Sequence, residues 1–542
     1  NDMKKTYKNP ILKGFYPDPS ICRVGDDYYM ATSSFSYFPG IPIFHSKDLV
    51  HWEQIGHAIH RPDQIDFSRA AHSEGLWAPT LRYHQGKFYM INTYVSEGRE
   101  AERCNYIVTA EDPAGPWSDP IIIKGADGID PSIFFDDDGR VWYCGNFIFK
   151  DPLYEGHHGI YLCELDPETF QFKGERTIIW DGNKTRSKWI EAPHIYKING
   201  MYYLLVAEGG TFFNHCVMMA RSKTIDGEYE ICPRNPIVTH RHLSLMHPIS
   251  VTGHADIVET QNGEWWMVLL AVRPYTGVQF NLGRETFLVP IVWEADGWPR
   301  IDNDNGLVNE EERLPDLPVT YYPVPSPNDN FESDTLDMKW NMIRSMKTDF
   351  YSLSERKGYL RLYMQPETIA DNYCTPSFIG RRQQHKYFGA GTAMEFKPDN
   401  DSEEAGICMI QSNEFNYVYT VKIYDGKPYL TLSKHYNDAE FVNHQYLETN
   451  IKKIELNKVL LPENFDRIYL YVQSECETYS FYYGFREGER IAFMTGVDAT
   501  LLSTNVAGGF VGAYLGMYCS SNGTISKNYA DFDWFEYFPF ED

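Results

Sequence analysis

The chain is predicted to be all-β, a five-bladed β-propeller over residues 1–322 followed by a β-sandwich of jelly-roll type over 323–542. Three observations carry this expectation. One hairpin signature recurs five times in the first 275 residues, residues 314–330 are Pro-rich, and strand-period segments of another kind fill the remainder, with no long amphipathic helix.

Each copy of the signature is a short residue, often followed by Pro, then an apolar strand, a polar turn with Gly and an aromatic strand. Asp18-Pro19-Ser20-Ile21 leads to GDDYYMAT, and Ala78-Pro79-Thr80-Leu81 leads to QGKFYMINT. Asp130-Pro131-Ser132-Ile133 leads to DDGRVWYCG, Ala192-Pro193-His194-Ile195 to INGMYYLLV, and His254-Ala255-Asp256-Ile257 to QNGEWWMVLL. Alternation on both sides of a short Gly-containing turn is the mark of a β-hairpin. The copies lie 52 to 62 residues apart, room for a four-stranded sheet with its loops. Five such sheets set radially make a propeller, within the usual range of about four to eight blades. A sandwich also makes hairpins, but it has no reason to repeat one signature at blade-sized spacing.

The repeats fade after Arg284, and LPDLPVTYYPVPSPNDN reads as a linker. Beyond it GYLRLYMQ, GTAMEFK, YVYTVKIY, YLTLSKHY, RIYLYVQ, SFYYGF, FVGAYLGMY and DFDWFEYF alternate in period two. Seven or more antiparallel strands in about 200 residues fit a sandwich.

Composition narrows the function. Net charge is −26, which lacks the basic face a nucleic-acid binder needs and is repelled by an anionic membrane. No stretch approaches the ~20 apolar residues of a membrane span. Aromatic content is 15%, which serves a β-rich core and also supplies stacking faces for sugars. The ten Cys show no metal-ligand spacing and read as buried thiols. The opening NDMKKTYKNP lacks the apolar core of a signal peptide, so a cytoplasmic location is expected, or a periplasmic or secreted one if a leader was trimmed.

In a propeller the first strand of every blade faces one channel. Asp18, Ala78, Asp130, Ala192 and His254 should therefore converge, with Glu191 one residue before its copy. Asp18 in FYPDPSI, Asp130 in GIDPSIF and Glu191 in WIEAPHI are each a lone acid beside Pro or one residue from it in apolar surroundings. Such surroundings raise a carboxyl's pKa, which suits a general acid, and a neighbouring carboxylate raises it further. A single Asp-Pro pair reads as a turn cap; recurrence at equivalent blade positions reverses that reading, because caps need not aim at one axis. Glycosidic hydrolysis needs one such acid and one base. The run Asp136-Asp137-Asp138-Gly139 reads as the turn of the third blade, and Ile301-Asp302-Asn303-Asp304-Asn305-Gly306 as a loop, since Ile301 fails as the first calcium ligand. His254 is read equally as a core histidine, a ligand of metal or water, or a group that tunes the acid. Arg284 is read as a partner of Glu285 or a clamp on sugar hydroxyls, and Trp77 as a sugar platform or packing between blades.

At these motifs the sequence resembles glycoside hydrolase family 43, in its two-domain β-xylosidase/α-L-arabinofuranosidase branch. The resemblance runs through residues 9–287, from NPILKGFYPDPSICRV through SEGLWAPTLRYHQGKFYMI, GIDPSIFFDDDGRVW, WIEAPHIYKINGMYYLLVAEGGT and GHADIVET to LGRETF; a looser likeness begins near DNFESDTLDMKWNMIR. It implies an inverting mechanism, with Asp18 as general base, Glu191 as general acid, and Asp130 ionised beside Glu191 to raise its pKa. It also implies that Phe35, Trp77, Thr211 and Arg284 shape a single-sugar subsite and that Phe510 stands at the pocket rim. Calcium or another divalent ion on the axis near His254 is a further implication of the family, with no cofactor required. Ala192 departs from the Gly of many relatives, and KDPLYEGHHGI is an insert after the third blade.

The expected activity is exo-acting β-1,4-xylosidase on xylooligosaccharides, with α-L-arabinofuranosidase side activity. Selective α-L-arabinofuranosidase action on arabinan or arabinoxylan is the alternative, and a non-catalytic carbohydrate-binding protein the alternative of another class. An endo-acting arabinanase is set aside, because the second domain should wall the groove. The inverting reading requires base and acid about 6.5–9.5 Å apart. The partner is a small oligosaccharide, with no nucleic acid and no membrane; a homo-oligomer fits the branch.

Overall fold

The computed structural model describes residues 5–97 and 102–541. It divides into two compact units: Asn1–Ile65, Glu74–Pro274 and Arg284–Tyr322 form the first, and Asp66–Ser73, Tyr275–Gly283 and Pro323–Asp542 the second.

The first unit is a five-bladed propeller, each blade an antiparallel sheet in simple up-and-down order. The innermost strands are Ser20–Val24, Thr80–His84, Ser132–Phe135, Glu191–Ile198 and Ser250–Glu259. Each overlaps a recurring copy, so the repeat and the blade are one unit. The Asp136–Gly139 run is the hairpin turn of the third blade, closed by the Asp136 and Arg140 backbones.

Period-two alternation explains how blades stack, since successive side chains leave opposite faces of a strand. In the fourth blade Leu204 and Val206 join Cys144, Ile160 and Leu162 of the third. Their neighbours Tyr203 and Leu205 join Met267, Leu269 and Val289 of the fifth. The ring closes where Ile21, Met30 and Phe44 of the first blade pack on Trp266, Val268 and Leu288 of the fifth. The N-terminal segment fastens this joint. Thr6–Lys8 pairs with Glu311–Arg313, and the Asn9 side chain donates to the Leu288 carbonyl and accepts from the Leu288 N–H.

The second unit is a sandwich of an eight-stranded and a six-stranded antiparallel sheet. Ala405, Ile407, Met409, Tyr419, Val421, Leu430 and Leu432 are buried on one face of the six-stranded sheet. The strands at Ser377–Arg382, Glu404–Ser412, Ile451–Leu460 and Ile491–Asp498 were not legible in the sequence. Their alternation is interrupted by charge on exposed faces, as in IKKIELNKVL, or by Gly, as in EAGICMIQS.

Seven of the ten Cys are buried, while Cys104, Cys374 and Cys476 are half-buried. Among the described residues no helix is long and apolar enough to cross a membrane.

Candidate active site

The leading residues of four of the five copies share a backbone state that the sequence pattern did not announce. Asp18, Asp130, Ala192 and His254 have φ of 57°, 55°, 56° and 54°, the left-handed region. A non-Gly residue there costs roughly 1–2 kcal/mol, and such strain gathers at functional sites. Each strained residue sits just before, or in, the innermost strand of its blade. Gly takes this conformation without penalty, so Ala192 carries a strain that Gly would not.

Asp18 is 5% exposed. Its Oδ2 accepts from Ser33 Oγ at 2.7 Å, and its Oδ1 accepts from Arg284 Nη1 at 3.3 Å. His254 Nδ1 stands 3.2 Å from the same Oδ1. Burial alone pushes this carboxyl up, but Arg284, His254 and the Ser33 hydroxyl together hold it below the usual carboxylate range. His254 is kept neutral by its own burial, against the pull of Asp18.

Asp130 takes the opposite course. Burial, then the charges of Glu191 and Asp18, push it well above its ordinary value, although the Ala192 N–H donates to its Oδ2 at 3.1 Å. Glu191 opens the first strand of the fourth blade, partly exposed, at a register shift between Glu191 and His194. Asp130 thus feels the Glu191 charge and is driven up, while Asp18 is driven down. The resemblance assigns the ionised role to Asp130. Burial and the Glu191 charge push the proton toward Asp130, so the role the resemblance gives it requires the other protonation state of the pair.

Four of the five substrate residues named from the sequence assemble around Asp18. Arg284 Nη1 also donates to Thr211 Oγ1 at 3.0 Å. The Arg284 guanidinium lies over the Phe35 ring at 5.7 Å, and Phe35 meets Trp77 at 6.2 Å between ring centroids. Glycine permits this edge. A Cβ on Gly75, whose φ is 94°, would stand 2.4 Å from the Phe35 carbonyl. Arg284 does not take Glu285, which pairs instead with Arg273 at 2.7 Å and 2.8 Å. Phe510 belongs to the second unit, where its N–H donates to Ser73 Oγ at 3.0 Å.

Two residues further along each copy lies a second layer: Ser20, Thr80, Ser132, His194 and Asp256, all between 0% and 2% exposed. Arg82 reaches into it and grips Asp256 with two nitrogens, at 2.8 Å and 3.0 Å. Ser20 Oγ and the Tyr196 hydroxyl also donate to Asp256, and His194 Nδ1 accepts from Arg82 at 3.3 Å. Burial raises the Asp256 carboxyl, but Arg82 and the other donors carry it far below the ordinary range. Burial holds His194 neutral, down at about 3.

These residues do not fit a divalent ion at His254. The two carboxylates whose charges act on that ring, Asp18 and Asp256, are each already bound by an arginine. Among the described residues no group of three or more His, Cys, Asp and Glu side chains is placed to hold a metal. Sequence reasoning missed Ser33, Arg82, Tyr196 and Asp256. The signal was present for Asp256, which occupies the same offset in its copy as Ser20 and Ser132.

A propeller whose blade entrances gather buried carboxyls of opposite pKa, beside an arginine and an aromatic edge, is the frame of a glycoside hydrolase. Residues 7–299 match the family model for glycosyl hydrolases family 43, and residues 328–538 match that of the β-xylosidase C-terminal concanavalin A-like domain. The chain belongs to glycosyl hydrolase family 43. It is 42% identical to a xylosidase/arabinosidase of Butyrivibrio fibrisolvens, over 97% of this chain and 98% of the relative. It is 39% identical to a non-reducing end α-L-arabinofuranosidase of Bacteroides ovatus, over 98% and 95%. The crystal structure of a xylan β-1,4-xylosidase from Bacillus halodurans superposes with a TM-score of 0.90 at 36% identity, covering 98% of this chain and 99% of that one. The binding-protein alternative is thereby set aside: the chain is an enzyme.

Proposed function

We propose that this enzyme removes single terminal pentose units, with inversion, acting as a β-1,4-xylosidase that also accepts α-L-arabinofuranosides. The observation that carries this reading is the pair of opposite shifts: Asp18 held ionised by Arg284 and His254, Asp130 pushed up by burial and the Glu191 charge. Two carboxyl environments driven apart are an acid/base assignment. Asp18 takes the proton of the attacking water. Glu191, the more exposed of the pair, gives its proton to the leaving oxygen, and the negative charge of Asp130 keeps that proton in place until transfer. Arg284 and Thr211 bind sugar hydroxyls, while Phe35 and Trp77 supply the apolar face. Names of relatives on both sides, xylosidase and arabinofuranosidase, support the double specificity. The second reading is a selective α-L-arabinofuranosidase, favoured by the Bacteroides relative.

The test compares p-nitrophenyl β-D-xylopyranoside, the α-L-arabinofuranoside and xylobiose, with Glu191→Ala as control. Loss of the general acid costs about 10²–10⁴ in kcat on xylobiose. The nitrophenyl substrates lose much less, since their leaving group needs little protonation. Turnover of the arabinofuranoside alone selects the second reading. Proton NMR of the first-formed anomer tests inversion, and a retained configuration overturns the mechanism.

A further inference from the structure

The six-stranded sheet of the second unit has an unusual outer face. One face carries the apolar core, so period-two alternation sends polar residues to the other, where solvent should meet them. Yet Glu404, Asn416, Thr420, Thr431, Ser433 and His435 are all 8% exposed or less. They share that face by register: Gly406 opposes Thr420, Thr420 opposes Thr431, Asn416 opposes His435, and His435 opposes Lys453. The loop through Thr368 crosses above. The Ile369 N–H donates to the Tyr518 hydroxyl at 3.0 Å, and Asn413 donates to the Ala370 carbonyl at 3.4 Å. Beneath the loop lies a cavity of about 220 Å³ lined by Thr368, Glu404, Val418, His435, Lys453 and Tyr518, with Asn522.

The hydrogen-bonding capacity facing this cavity can be worked out group by group. Asn416 Nδ2 donates to the Ser412 and Asn413 carbonyls, so its Oδ1 is the atom that meets His435 Nδ1 at 2.7 Å. His435 Nδ1 therefore carries the proton, and in the neutral ring Nε2 is an acceptor. Burial, then the Lys453 charge, holds that ring neutral, down at about 4. Glu404 is fixed by Thr420 Oγ1 at 3.0 Å and Asn522 Nδ2 at 2.9 Å, with Lys422 at 3.5 Å. The lining thus mixes acceptors, Glu404 and His435, with donors, Lys453 and the Tyr518 and Thr368 hydroxyls, around one apolar wall at Val418.

We propose that this recess is a second carbohydrate site, taking one sugar ring. Each hydroxyl of a sugar both donates and accepts, which matches a lining that alternates the two. An anion would face the Glu404 carboxylate and a cation the Lys453 ammonium. At about 30 Å³ per liquid water the cavity has room for roughly seven waters, the scale of a single ring rather than a chain.

The experiment is calorimetric titration of the full chain with D-xylose and with L-arabinose, neither of which is hydrolysed. Two equivalents of one pentose are expected in the wild type. Thr368→Trp, which fills the recess from an irregular loop, should abolish one equivalent or weaken it at least tenfold. Lys453→Ala, at the exposed rim, should weaken the same equivalent. Both variants should keep kcat/KM on nitrophenyl pentosides within twofold, which also reports that they fold. A single equivalent for both sugars in the wild type, or a second that survives Thr368→Trp unchanged, overturns the proposal.

Discussion

Arg284 spends one nitrogen on two partners, Asp18 and Thr211, and so couples the ionisation of the base to the sugar-binding edge. Removing it takes away the leading force that lowers the Asp18 pKa. Arg284→Ala should therefore move the acidic limb of the kcat/KM profile to higher pH, besides raising KM; an unmoved limb would show that His254 and Ser33 suffice. Ala192→Gly tests the strained copy. Relief of the left-handed penalty should stabilise the chain by about 1 kcal/mol, read as a shift in denaturant midpoint. The candidate carboxyls were legible because Asp18-Pro19 and Asp130-Pro131 recur in phase, and Glu191 precedes the fourth copy. Ser33 was not legible, because it reaches Asp18 from an irregular segment that no periodicity marks.

At the scale of the element, the five innermost strands carry two functions at two offsets. The first residue of three copies, Asp18, Asp130 and His254, belongs to the candidate site, and the residue two further on serves the buried layer around Arg82 and Asp256. The first offset was visible in the sequence as convergence. The second was hidden because Arg82 lies in LRYH, where it reads as an outward polar residue of an alternating strand. Its length lets it turn back to the axis, and sequence spacing does not encode that. Breaking a buried ion pair from one side costs about 3–5 kcal/mol. Arg82→Met should lower the unfolding free energy by that order, and Arg82→Met with Asp256→Leu should recover part of it. Chelation with EDTA should leave both stability and turnover unchanged, since Asp18 and Asp256 already have guanidinium partners.

For the whole molecule, fold class and blade number followed from counting copies, while the sandwich was legible only strand by strand. Stability should depend on acid through groups far apart in the chain. Burial holds His72, His194 and His215 neutral, each down at about 3, whereas the unfolded chain protonates them near 6.5. Their folded pKa lies below the unfolded one, so their contribution is fully present above about pH 6.5. It fades as pH falls, at about 1.4 kcal/mol per pH unit for each group. Denaturation midpoints between pH 7 and 5 should fall accordingly, and His194→Gln should make that slope shallower.

The layer of Ser20, Thr80, Ser132, His194 and Asp256, tied together by Arg82, also governs traffic. That layer is hydrogen-bonded and no more than 2% exposed, so it should close the channel beneath the carboxyls: the released pentose would then leave by the route the oligosaccharide took in, and the water that attacks next would arrive the same way. Free pentose and fresh substrate then queue for one opening. D-Xylose should inhibit competitively, raising KM and leaving kcat untouched, and late turnover should slow as product accumulates even while substrate remains plentiful.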